Sequence, residues 1–149
     1  MVVGYASEKG VLALQDGDFV MNESSAILKY IADKIDSPAY PKDLKKRAKI
    51  NAMMDWLNTG FYRDFGYGFV YPQLFPHYKH EHEVAQNATI NAGRERTKKW
   101  LNILDKDLIG PNNNYLVNNE LSIADFFGVG LFSLNDVVRC DLSPRSEEH

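Results

Sequence analysis

The stretch Asp16–Ile27, DGDFVMNESSAI, decides how the rest of the chain reads. Asp16-Gly17 lies between two short apolar segments, Val11 to Leu14 and Phe19 to Met21. Asp-Gly between apolar runs signals a hairpin, because glycine takes positive φ at little cost. An antiparallel β-hairpin is expected. Glu23-Ser24 then opens a helix expected over 24–35, with Ile27, Leu28, Ile31 and Ile35 on one face at helical spacing. At a helix N-terminus, the Ser24 hydroxyl and free amides suit a carboxylate. The Glu23 carboxylate suits an ammonium. The two backbone ends of one amino acid could thus be held together. Taken alone, a serine at this place reads first as an N-cap.

Outward from that stretch the chain turns helical. Ser37-Pro38 and Tyr40-Pro41 mark a linker, and Pro41 suits the start of a helix. A long helix is expected over 42–71, with a stripe of Leu44, Ala48, Ala52, Trp56, Phe61, Phe65 and Phe69. Gly60, Gly66 and Gly68 weaken it by up to about 1 kcal/mol each, which points to a bend or a close neighbour. Pro72 and Pro76 are expected to end it. A further helix is expected over 81–108, buried through Ile90, Trp100, Leu101, Leu104 and Leu108. After the Gly110-Pro111-Asn112-Asn113-Asn114 loop, a last helix starts at Ser122 and carries Phe126, Phe127, Val129, Leu131 and Phe132. Ser143 to His149 reads as a tail.

The 149 residues suffice for one or two small units with a hydrophobic core. A net charge of -3 argues against nucleic acid, which favours a clustered basic face. No apolar run approaches the ~20 residues of a membrane span, so neither nucleic acid nor membrane is expected as a partner. Cys140 is the only cysteine, which removes any intrachain disulfide and makes a cytoplasmic setting the default.

Leu121-Ser122-Ile123-Ala124-Asp125-Phe126 is the clearest local signal. Ser122 can cap the Asp125 amide and Asp125 can reach back to the Ser122 amide, a capping box with Asp for the usual Glu. Leu121 and Phe126 occupy the staple positions. Both Ser122 and Asp125 are expected to be structural. His77, His80 and His82 sit in a polar, proline-bounded turn without a nearby cysteine, and no metal site is expected. The aromatic run Phe61 to Tyr71 reads as core first and as a pocket lining second, with Tyr62 and Arg63 its most interesting members. The basic run Lys42 to Lys49 reads as a solvated helix face.

Together these fragments resemble one family. The segment from Leu14 to Ala32 is similar to the end of the thioredoxin-like domain of cytosolic glutathione transferases. Tyr40-Pro41 followed by Arg47-Ala48 and Trp56 resembles the linker and first long helix of that family's helical domain. Tyr115-Leu116-Val117 and then Leu121 to Asp125 resemble its capping box and staple. The likeness spans about 11–143 and looks strongest to the theta-like and bacterial branches. It implies that Ser24 takes the γ-glutamyl carboxylate of glutathione, that Glu23 helps hold the same end, and that the Val11 main chain pairs with the cysteinyl backbone. It places Asn58, Thr59 and Tyr62 toward glutathione or a second, electrophilic substrate. Glutathione enters as substrate, and no cofactor is implied.

The departures are specific. Leu12 stands where the family has a cis-proline, and a trans bond is expected there. The family's catalytic Tyr, Ser or Cys lies in a βαβ unit ahead of this region. Such a unit needs about 30 residues, whereas 22 precede Glu23. No catalytic role passes to Tyr5 or Ser7, and the catalytic residue stays unassigned. The expected fold is mainly α: residues 1–36 as a truncated thioredoxin-like remnant, a β-hairpin plus one helix, and 37–149 as linker and helical domain, trimmed at its end. Conjugation to an electrophile is the family's activity. The alternative is a non-catalytic module that binds partners. Uncovered apolar faces and hairpin edges predict a homo-oligomer.

Overall fold

A computed structural model describes residues 1–6 and 11–138. The expected tail and Cys140 lie outside the described residues. Three strands come first: β1 (Val2–Ala6), β2 (Val11–Asp16) and β3 (Phe19–Asn22), antiparallel in the order β1-β2-β3. The β2–β3 hairpin is the expected one, but its turn residues are Gly17-Asp18, one place beyond the Asp-Gly pair, because Asp16 pairs with Phe19. Gly17 takes φ 65° and Asp18 stays negative, which suits glycine at the first turn position. β1 was not foreseen. It pairs with β2 from Val2 opposite Gln15 to Ala6 opposite Val11. No cis peptide bond occurs among the described residues, Leu12 included.

Helix α1 (Ser24–Lys34) packs on this sheet through Ile27, and Leu14 is fully buried beneath it. Asp16 accepts from Tyr30 Oη at 2.7 Å and from Lys34 Nζ, while Phe19 rests on the Tyr30 ring at 5.2 Å. Ile35, expected on the buried face, is 65% exposed because the helix has already ended at it.

The linker is fastened rather than loose. Tyr40 is buried and donates to Asn51 Oδ1 at 3.0 Å. The Arg47 guanidinium lies 4.1 Å from the Tyr40 ring centre, donates to the Pro41 carbonyl at 2.8 Å and reaches Asp33 of α1 at 2.7 Å. One arginine therefore ties α1, linker and next helix together.

That next helix starts at Leu44, not at Pro41, because Asp43 supplies the cap by accepting from the Lys46 amide at 2.8 Å. α2 (Leu44–Asp55) runs into wider i→i+5 turns over Trp56–Phe61 and Arg63–Val70, then into the short α3 (Tyr71–Leu74). Pro72 sits inside α3, so the helix ends at Phe75 rather than at Pro72. The expected stripe is wrong in its first half. Leu44 is 82% exposed, Ala48 and Ala52 are exposed, and the buried side is Ile50, Met53, Met54, Leu57, Phe61, Phe65 and Phe69. From Met53 onward those residues recur every four positions. In a 3.6-residue turn each such step drifts about 40°, and the wider turns keep it on one face.

α4 (Glu83–Ile103), starting two residues later than expected, crosses the wide-turn segment and ends in another wide turn, Leu104–Ile109. The crossing is glycine-made: a Cβ on Gly93 would lie 2.1 Å from the Gly68 carbonyl oxygen, and one on Gly60 would meet Trp100. The glycines therefore mark close neighbours. Asp64 locks the same crossing, accepting from Trp100 Nε1 at 2.8 Å and Arg96 Nε at 2.9 Å.

α5 (Ile123–Phe132) begins at the Ser122 cap, and both halves of the capping box are present. Asp125 accepts from the Ser122 amide and, across the loop, from the Leu116 amide, each at 2.8 Å. Leu121 and Phe126 are both about half exposed. Of the apolar residues this helix carries, Val129 is 68% exposed, and the buried residues of α5 are Ile123, Ala124, Phe127 and Gly128. A short α6 (Leu134–Val138), not foreseen, follows it. The fold is mainly helical, with a three-stranded antiparallel sheet and one helix ahead of a helical domain.

Candidate functional site

At the end of β3 the backbone must turn sharply into α1. Glu23 makes the turn with φ 71° and ψ 107°, a conformation that costs a non-glycine residue about 1–3 kcal/mol. The Ile27 amide donates to the Glu23 carbonyl at 2.9 Å, so Glu23 is the N-cap, and its side chain makes no capping bond. Ser24 is therefore the first helical residue and not the cap. The arrangement leaves a serine hydroxyl and the first helical amides beside a carboxylate not used by the helix. Glu23 and Ser24 are both exposed.

Ser24 lines an open pocket of about 310 Å³ with Leu28 of α1 and Phe126, Phe127, Gly130 and Leu131 of α5. Ser24 is its one polar lining residue among those described, and the walls are apolar. A packed cluster of tyrosines lies within electrostatic reach of Glu23. Tyr67 and Tyr71 stand 5.0 Å apart, Tyr71 and Tyr78 5.5 Å, and Tyr62 and Tyr67 5.4 Å. Burial raises the Tyr67 phenol above its ordinary range, and Tyr71, Tyr78 and the charge of Glu23 add to it. Glu23 is thus close enough to the tyrosine cluster to act on Tyr67, and its neighbour Ser24 lines the apolar pocket.

The remaining expected residues divide. Tyr62 belongs to the cluster, its hydroxyl bonded to that of Tyr71. Thr59 is exposed but turns its hydroxyl back to the Asp55 carbonyl at 2.8 Å. Asn58, the residue before Thr59, is half-buried. The Val11 backbone lies opposite Ala6 in the β1–β2 ladder. Ser122 and Asp125 belong to the fold. His80 faces Thr89, with Nε2 3.0 Å from its hydroxyl, and His77 lies against Tyr78. Among the described residues no three or more His, Cys, Asp or Glu side chains gather as a metal site. No described helix is long and apolar enough to cross a membrane. Sequence reasoning missed the α5 wall. Phe126, Phe127, Gly130 and Leu131 recur at helical spacing, but that pattern reads equally as core.

Comparison with known proteins decides which family these features belong to. Human glutathione S-transferase theta-1 is 31% identical over 123 residues, covering 81% of this chain and 50% of the relative. The chain superposes on human glutathione S-transferase T1-1 in its apo form with a TM-score of 0.71 and 26% identity, covering 93% of this chain and 57% of that one. The chain belongs to the glutathione transferase family. The theta-class enzyme of Xanthomonas axonopodis pv. citri gives a TM-score of 0.68 at 26% identity, covering 85% of this chain and 64% of that structure. No family model matches. This glutathione transferase-like chain spans about half the length of the curated relatives it matches.

Proposed function

We propose that this chain binds glutathione through its γ-glutamyl end at Glu23 and Ser24. The supporting observation is the strained turn at Glu23, which frees its carboxylate from capping and sets it beside the Ser24 hydroxyl and the first amides of α1. Glu23 receives the ammonium, and Ser24 with the helix amides receives the α-carboxylate. Family membership supports glutathione as the ligand. In the whole protein the reaction is conjugation: the bound thiol loses its proton, sulfur bonds to an electrophilic carbon, and the leaving group departs. A hydrophobic electrophile suits the pocket between Ser24 and Phe126. Asn58 and Tyr62 are proposed to face the substrates, with Tyr62 the more informative.

Binding without catalysis is favoured by one feature. The main chain of Val11, which by family resemblance would pair with the cysteinyl backbone, lies opposite Ala6. A glutathione held only at its γ-glutamyl end leaves its thiol without a fixed donor. We also propose a division of the chain at 36/37, a cytoplasmic location, and a homo-oligomer. Phe19 and Val20 on β3, 47% and 60% exposed, with Tyr67 at 48%, offer it a surface. Light scattering that gives a sharp monomer would remove the last proposal.

Calorimetric titration of the chain with glutathione tests the main reading. The expected result is binding with a dissociation constant in the micromolar to millimolar range, lost in Ser24→Ala. No heat at high millimolar glutathione would overturn it. Turnover of a generic electrophile would separate conjugation from binding alone.

A further inference from the structure

A second cavity opens between α2, the wide turn at Leu108 and the segment before α5, sharing no lining residue with the Ser24 pocket. Its volume is about 380 Å³, within the range of small-molecule sites. Met53, Trp56, Leu108 and Leu116 form apolar walls, and Lys49 and Asn118 stand at the rim. Trp56 is held from behind by Trp100, edge-on at 5.2 Å.

The rim is built, not incidental. Asn118 and Asn119 both take φ 53°, and Val117 bridges Glu120 across them, a tight two-residue turn that asparagine tolerates. The Asn119 side chain accepts from the Asn114 amide at 2.7 Å and anchors the turn. Lys49 Nζ donates to Asn118 Oδ1 at 3.2 Å, which leaves the Asn118 amide nitrogen as a donor. On the same helix Lys46 pairs with Glu120 and Arg47 with Asp33. Lys49 instead meets a neutral oxygen, and among the described residues it is the only charged side chain lining the cavity.

We propose that this cavity binds a small flat aromatic carboxylate. The ring system lies against Trp56 and Met53, and the carboxylate takes hydrogen bonds from Lys49 Nζ and Asn118 Nδ2. Charge complementarity selects the anion: a cation at the mouth of an apolar cavity lacks only a counter-charge carried on an apolar body. The site is independent of glutathione.

The test is calorimetric titration of the full chain with 2-naphthoate and with uncharged 2-naphthamide. Naphthoate is expected to bind below millimolar concentration, with or without saturating glutathione. Lys49→Gln is expected to weaken naphthoate about tenfold and leave naphthamide unchanged. Ala52→Phe, on an exposed stretch of α2 at the cavity wall, is expected to abolish both while the helical circular dichroism stays the same. Absence of heat to several millimolar naphthoate would overturn the proposal. So would equal response of both probes to Lys49→Gln, survival of binding in Ala52→Phe, or displacement of naphthoate by glutathione.

Discussion

Glu23 holds a backbone conformation that its own side chain disfavours. Such strain persists where function or the surrounding structure requires it. Glu23→Gly is therefore expected to raise stability by about 1 kcal/mol, seen as a higher thermal midpoint, while glutathione binding weakens. A fall in stability would mean that the carboxylate has a structural role. Asp64 carries a pH signature. Burial pushes its carboxyl up, but hydrogen bonds from Trp100 and Arg96 outweigh that and hold it below the usual carboxylate range. A depressed folded value gives stability that is present above the unfolded value near ~3.9 and is lost as pH falls through the folded one. Urea midpoints measured across acid pH should fall less steeply in Asp64→Asn than in the parent. Asp125 was readable beforehand, because a capping box is a local pattern. The Asp64 bonds were not, since Trp100 and Arg96 lie on another helix and nothing local announces them. Asp125→Ala is expected to cost about 2–4 kcal/mol, more than the ~1 kcal/mol of Ser122→Ala, because it strands the Leu116 and Ser122 amides together. Chemical denaturation of the two variants would show that order.

Among elements, the crossing of α4 over the wide-turn segment has the sharpest geometry. A methyl on Gly93 meets backbone at 2.1 Å, whereas one on Gly68 meets first the movable end of Arg96 at 3.2 Å. Gly93→Ala should destabilise by about 2 kcal/mol or more, and Gly68→Ala should be neutral or gain up to about 1 kcal/mol from helix propensity. Equal effects in denaturant titrations would contradict the asymmetry. The glycine-rich half of this helix signalled a close neighbour from composition alone. Its wide turns did not, because a four-residue recurrence is ambiguous between helix types. Read at 3.6 residues per turn, the stripe was carried back to Leu44, Ala48 and Ala52, which face solvent. The hairpin and α1 were legible because turn chemistry and a helix start lie close together. β1 was not, because its partner β2 already had a partner in β3.

For the molecule as a whole, the two portions of the chain meet where Leu28 and Ala32 of α1 join the main apolar cluster and at the linker. Arg47 spans the junction with bonds to Asp33, Tyr40 and Pro41. Arg47→Lys keeps the charge but loses the planar fork, and is expected to cost about 1–2 kcal/mol in urea unfolding. The helical domain was legible from its stripe, loop and cap. The pocket beside Ser24 was not, because α5 and α1 approach each other only after the chain has folded. Leu14 and Ile27 are buried, yet they stand apart from the main apolar cluster around Phe61, Phe65 and Phe69. So small an island melts sooner than the mainland. Amides of β2 and of the first turn of α1 should exchange with solvent before those of Leu28 and Ala32, which join the main cluster, and those buried under α4. Because Glu23 and Ser24 ride on that island, each fraction of chains with it open subtracts directly from apparent affinity. Warming should therefore release glutathione while the helical domain is still intact.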